Sequence, residues 1–265
     1  MTLDVQIRTK TYSSRTPGND HTAIAGIDFS VPEGQFTCIV GPSGCGKTTL
    51  LNIVSGLEQD VDGAVTLNDK PINEAHIGYM FQTSRLMPWL TVLENVQLVE
   101  EGGGNEEKGN DVLAHHLLKE MNLGDVMDAF PNRLSGGMMR RVALARAFVV
   151  KPRLLLMDEP FISLDEPVSR RLQELLLAIW NERPTTVLFI THNLNEALFL
   201  ADRILFMSPG PGRIVHDYMV PLARPRTTLT SDEIYGLRQS LLKDHPDLLT
   251  GLIGSAEAEE EQKES

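Results

Sequence analysis

A chain of 265 residues that is 42% hydrophobic can fill the core of one large domain or two modest ones. Its formal net charge of −12 argues against nucleic acid or an anionic membrane surface as the main partner. Without an apolar run approaching the roughly 18 residues of a membrane helix, a signal-peptide pattern at Met1–Val5, or cysteines other than Cys38 and Cys45, the chain is expected to be cytosolic and free of disulfides.

Val5, Ile7 and Thr9 alternate with polar residues and predict an edge strand ending at Tyr12, followed by a loop from Ser13 to His21 with Pro17-Gly18. Ile27, Phe29 and Val31 alternate again before the Pro32-Glu33-Gly34 turn, so an antiparallel sheet precedes the β-prone run Phe36 to Val40. Residues 41–48, Gly41-Pro42-Ser43-Gly44-Cys45-Gly46-Lys47-Thr48, fit the phosphate-loop pattern G-x-x-x-x-G-K-[ST] at every fixed position, and the apolar stretch Thr49 to Val54 reads as a helix behind it. Strand, glycine loop and helix in that order form an anion cradle: backbone N–H groups point inward and the helix start adds about half a positive charge. In such a cradle Lys47 reaches the β- and γ-phosphates and the Thr48 hydroxyl holds Mg²⁺. Cys45 reads as a small residue that fits the loop in preference to a reactive thiol.

Further strands are predicted at Gly63 to Leu67 and at Ile77 to Phe81, the second ending at Gln82. The apolar turn Leu86 to Leu90 leads to Thr91 and Glu94, spaced as a capping box that opens a helix. Residues 100–110 form a glycine- and glutamate-rich insertion expected to be mobile, and the helical pattern resumes from Asp111 to Met121 with His115 and His116 on a solvated face. Leu134-Ser135-Gly136-Gly137 breaks the pattern and launches a helix from Met138 to Val150. A strand from Arg153 to Met157, apolar from Leu154 on, ends at Asp158-Glu159; the next helix shows a buried stripe at Leu172, Leu175, Leu176 and Ile179. The strand Thr186 to Thr191 delivers His192, and a strand at Arg213 to Met219 and a helix opened by Thr230 and Glu233 follow. Polar residues gathered at strand ends indicate an open α/β sheet with its ligand beyond those ends.

Two adjacent carboxylates leaving a hydrophobic strand supply what phosphoryl transfer to water needs, a cation clamp and a base at separate positions. Asp158 suits the metal and Glu159 the water; Gln82 can bridge water and metal without charge, and His192 can hydrogen-bond a terminal phosphate.

These residues, in this order, resemble an ATP-binding cassette (ABC) transporter ATPase subunit over residues 1 to about 220: the loop Gly41–Thr48, Gln82, the signature Leu134-Ser135-Gly136-Gly137, Asp158-Glu159, the turn Ser163-Leu164-Asp165 and His192. The resemblance implies a P-loop NTPase with a RecA-like core, an antiparallel β subdomain and an inserted α-helical subdomain at about 86–150. It implies that ATP is held by Tyr12, stacked on adenine, and by Gly41, Pro42, Ser43, Gly44, Cys45, Gly46, Lys47, Thr48 and Thr49. Mg²⁺ is then held by Thr48, Gln82 and Asp158, with Glu159 as general base and His192, Lys47 and Gln82 acting on the reacting phosphate. Two copies are expected to sandwich two ATP molecules, Ser135, Gly136 and Gly137 of one reaching the γ-phosphate bound by the other; Ser-Gly-Gly at a helix start is itself an anion site. Met138, Arg140 and Ile162 depart from the family's usual signature Gln, second Gln and turn Ser, and the contact to the opposite nucleotide is expected to be weakened or taken over by Arg140.

The stretches Arg85 to Val92, Ser208 to Val215 and Pro221 to Arg226, together with Met138, are similar to the nitrate, sulfonate and taurine importers of bacteria. That subgroup implies an ATPase on the cytoplasmic face of the inner membrane, docked on a permease with an external solute-binding protein, with Leu86 to Leu90 bordering the permease groove. Residues 221–250 are expected as a helical extension and 251–265 as a disordered acidic tail. The alternatives are a nucleotide-gated regulatory or assembly module, against which Glu159 and His192 speak, and a repair or translation ATPase, against which the single cassette without heptads speaks.

Overall fold

The computed structural model describes residues 2–14, 20–72, 76–101, 110–224, 226 and 230–252. The Pro17-Gly18 turn, most of the glycine-rich insertion and the acidic tail beyond 252 lie outside the described residues. The chain divides into two compact units, residues 1–75 with 186–265, and residues 76–185.

In the first unit β1 (Thr2–Tyr12) and β2 (His21–Pro32) pair antiparallel, Val5 opposite Phe29 and Ile7 opposite Ile27. The alternation dictates the pair: Val5, Ile7, Ile27, Phe29 and Val31 are buried while Gln6, Asp28 and Ser30 face out. β4 (Asp62–Leu67) takes the other side of β1, and β5 (Lys70–Pro71) follows, giving the order β2-β1-β4-β5. β1 is therefore interior and not the expected edge strand, because its second partner lies far downstream where no local pattern announces it.

The second sheet of this unit runs β10-β9-β3-β8. β3 (Phe36–Val40), β8 (Thr186–Thr191) and β9 (Arg203–Met207) are parallel, and β10 (Ile214–Met219) joins antiparallel. Every residue of β3 and β8 is buried, which is why their sequences lack polar alternation. Helices α1 (Lys47–Val54), α6 (Leu194–Leu200) and α7 (Ser231–Asp244) complete the unit, α6 packing on β3, β8 and α7. α6 and β9 are not among the elements read from sequence, being short and apolar almost throughout. α7 opens on the expected capping box, Thr230 N donating to Glu233 Oε2 at 2.8 Å and Glu233 N to Thr230 Oγ1 at 3.3 Å. Arg226, only 2% exposed, donates to the carbonyls of Leu198, Ala201 and Leu222, and burial brings its pKa down to about 10.

In the second unit β6 (Ile77–Met80) and β7 (Leu154–Asp158) are parallel, with Met80 opposite Met157. α2 (Val92–Glu101), α3 (Asn110–Glu120) and α4 (Gly136–Val149) pack on one another, and α4 also lies against β6. α2 has its box, Thr91 N donating to Glu94 Oε2 at 2.7 Å. α4 begins at Gly136 in place of Met138, because the Ser135 hydroxyl caps it. α5 (Glu166–Glu182) buries Leu172, Leu176, Leu177, Ile179 and Trp180, whereas Leu175 is only half-buried, so its apolar face is wider than the expected stripe and turned toward Leu177.

Candidate nucleotide site

Between Val40 and Lys47 the backbone makes a turn that glycine alone tolerates. Gly44 and Gly46 have φ of 78° and 99°, and a Cβ on Gly46 would lie 2.7 Å from the Ala23 carbonyl oxygen. Gly46 is the N-cap of α1 and makes no side-chain bond, and the first turn holds no acidic residue, so the positive end of the helix is left for an external anion. Buried Lys47 donates from Nζ to the carbonyls of Gly41 and Pro42 at 2.8 Å each, which holds the cation against the loop's own backbone. Ser43, Gly44 and Thr48 are exposed, Pro42 and Thr49 half-buried. Cys45 is fully buried, and burial pushes its thiol up despite Lys47 Nζ at 3.8 Å from Sγ. A loop-filling residue, not a reactive thiol, is what this packing describes.

His192 belongs to the same unit and the same strand ends. Thr191 is opposite Val40, so His192 leaves β8 beside the point where Gly41 leaves β3. It is exposed, and the turn beyond it is pinned by the Thr191 hydroxyl, which donates to Glu196 Oε2 at 2.6 Å and accepts from Asn193 N at 3.0 Å. Tyr12 closes β1 at 37% exposure, with Lys10 Nζ 4.6 Å from its ring centre. Lys10, itself paired with Glu58 at 3.1 Å, is a residue the sequence reading passed over. Its spacing of two from Tyr12, which puts both on one strand face, was the available signal.

The other predicted residues lie in the second unit. Asp158 ends β7 at 4% exposure, and Glu159 follows half-buried with a left-handed φ of 42°. Because Met80 is opposite Met157, exposed Gln82 and Glu159 leave neighbouring strand ends at the same level. Tyr79 shows the charge of this corner: burial first, then the Asp158 carboxylate, push its phenol up. Ser135 and Gly136 are exposed and Gly137 half-buried at the start of α4, where Ser135 Oγ accepts from Met138 N at 3.3 Å. Arg140 turns back within its own unit and donates to the Phe81 carbonyl at 3.4 Å, next to Gln82. Asp165 caps α5 by accepting from Val168 N at 3.0 Å. His115 and His116 are exposed on α3, as expected.

Thr48 of the first unit offers a hydroxyl, and Gln82 and Asp158 of the second an amide carbonyl and a carboxylate; each is by itself a hard oxygen of the kind Mg²⁺ prefers. Among the described residues no group of three or more His, Cys, Asp or Glu forms a metal cage.

A glycine loop at an uncapped helix start, an acidic strand end and a Ser-Gly-Gly helix start define a P-loop nucleotide-binding α/β protein. The family model described as "ABC transporter" matches residues 24–162. The bicarbonate transport ATP-binding protein of Synechocystis sp. is 43% identical over 80% of this chain and 77% of that protein. An aliphatic sulfonates import ATP-binding protein of Burkholderia cenocepacia is 42% identical over 84% of this chain and 80% of its own. The nitrate import ATP-binding protein of Synechococcus elongatus is 42% identical over 80% and 79%. A solved dimeric ATP-binding cassette in a post-hydrolysis state, bound to ADP and Pi, aligns with TM-score 0.72 and 30% identity over 83% of this chain and all of that one. The chain belongs to the ABC transporter family and is an ATP-binding ATPase cassette of it. No helix among the described residues is long and apolar enough to cross a membrane.

Proposed function

We propose that this chain is the ATP-hydrolysing subunit of a bacterial importer that carries a small anion through a membrane permease. What supports this reading most is that relatives at 42 and 43% identity are named for nitrate, aliphatic sulfonates and bicarbonate, which share a negative charge and little else. In this reading Tyr12 stacks on adenine, the loop Gly41 to Thr49 cradles the phosphates, and Lys47 neutralises the β- and γ-oxygens. Thr48, Gln82 and Asp158 would hold Mg²⁺, which when bound would supply charge screening to the phosphate oxygens. Glu159 takes a proton from water that attacks in line, and His192 donates to the γ-phosphate and holds its orientation. Ser135, Gly136 and Gly137 bind the γ-phosphate held by a second copy, so hydrolysis and dimer opening are linked and drive the permease's alternating access.

Residues 1–220 are assigned to the ATPase domain, about 86–150 to its helical subdomain and 221–250 to a C-terminal extension. The subunit sits on the cytoplasmic face of the membrane, and an external solute-binding protein supplies the permease. The turn at Leu86 to Leu90 receives the permease; Trp89, 69% exposed, is a ready apolar contact for it. The test is phosphate release from Mg-ATP by the purified chain. Turnover that Glu159→Gln abolishes is the expected result, and a wild-type chain that binds ATP without releasing phosphate would favour a nucleotide-gated module instead.

A further inference from the structure

The segment from Phe81 to Thr91 has no regular secondary structure, so its backbone groups must find partners elsewhere. They find them on two helices. Asn95 of α2, fully buried, accepts from Met87 N at 2.7 Å and donates to the carbonyls of Met87, Leu90 and Thr91 at 3.1, 3.0 and 2.9 Å. Arg146 of α4 spans two consecutive carbonyls, donating from Nη2 to Ser84 at 2.7 Å and from Nη1 to Arg85 at 2.9 Å. The guanidinium serves the two carbonyls from two nitrogens held in a fixed planar fork, whereas a lysine would have to serve both from one ammonium on a flexible stem.

The gripped turn is strained. Arg85 has a left-handed φ of 44°, and its guanidinium carbon lies 3.9 Å from the centre of the Phe81 ring. Two cations, Arg85 and Arg146, thus share one corner, and Arg146 is held there half-buried against backbone oxygens. A left-handed arginine persists only where its surroundings over-determine it, and here the fixing groups come from α4 and the Phe81 ring.

We infer that Arg146 is a positioning residue that ties the helix beginning at Ser135-Gly136-Gly137 to the segment running from Gln82 to Trp89, so that a displacement of one is passed to the other. The inference rests on the proposed ATPase reading for what the two ends do. Ser135 and Arg146 are separated by about 16 Å of continuous helix, a rod stiff enough to move as one body. One end of the gripped segment is Gln82, and the other is the exposed Trp89.

The test uses the full chain with Arg146→Lys, which keeps charge and stem and removes the fork. Expected are an ATP KM within about two-fold of wild type, a kcat lower by about ten-fold, and amide exchange at residues 83–90 faster by about ten-fold with α5 unchanged. Arg146→Met is expected to show the same local exchange with a larger fall in kcat. Unchanged exchange at 83–90 in both variants would overturn the tie, whatever happens to kcat; so would faster exchange throughout residues 76–185 with a lowered Tm, the mark of a merely structural role. A wild-type chain that releases no phosphate would instead overturn the ATPase reading, and the exchange arm would still decide the tie.

Discussion

Glu159 is a non-glycine residue in left-handed backbone one step beyond a wholly buried strand. Such strain gathers where a side chain must be aimed, and it sets this carboxylate apart from Asp158, which stays in the strand. Glu159→Gln is expected to leave ATP binding intact and lower kcat by roughly 10²- to 10⁴-fold, as loss of a general base does; phosphate release and nucleotide titration on the same sample check both halves. At Cys45 the sign is opposite to that of an activated thiol. Burial raises its pKa, so its thiolate is scarcer than that of a free cysteine at any pH near 8, and alkylation of the folded chain is expected to lag a model thiol until denaturant is added. The acidic pair and the glycine loop were legible because each comes at the end of a mostly apolar run, Leu154 to Met157 and Phe36 to Val40. The φ of Glu159 and the fork of Arg146 were not, since both depend on neighbours far away in the chain.

Asn95 shows how an element is held by one side chain. Asn95→Ala leaves Met87 N and three carbonyls with fewer partners in a buried place, and is expected to cost about 2–3 kcal/mol. Urea unfolding of the full chain measures it. The contact between β10 and the end of α7 is expected to respond to pH. His216 of β10 and His245 at the end of α7 have ring centres 4.4 Å apart, and burial first, then His245, lower the His216 pKa. A histidine depressed in the fold stabilises it above its ordinary value of 6.5, and that stability is lost as pH falls from there through the folded pKa. His216→Phe is therefore expected to flatten the fall in Tm between about pH 7 and 5. Elements with a periodic face or a cap, such as β2, α2 and α7, were readable from sequence. The interior place of β1 and the existence of α6 and β9 were not, because sheet order is a long-range property and short apolar runs carry no period.

At the scale of the whole molecule, one chain offers two helix starts suited to an anion, the uncapped start of α1 and the Ser135-capped start of α4, and in the proposed reading a second copy brings its α4 start to the triphosphate held at α1. Related cassettes have been solved as dimers. The direct measurement is ATPase activity in a mixture of two inactive variants, Lys47→Ala, which spoils the loop, and Ser135→Arg, which spoils the signature. If each copy completes the other's site, a mixed dimer holds one site with both defects and one with neither. The mixture is then expected to recover up to about a quarter of wild-type turnover, from half the dimers being mixed and half their sites intact. Activity that stays at the sum of the two separate variants would contradict the account.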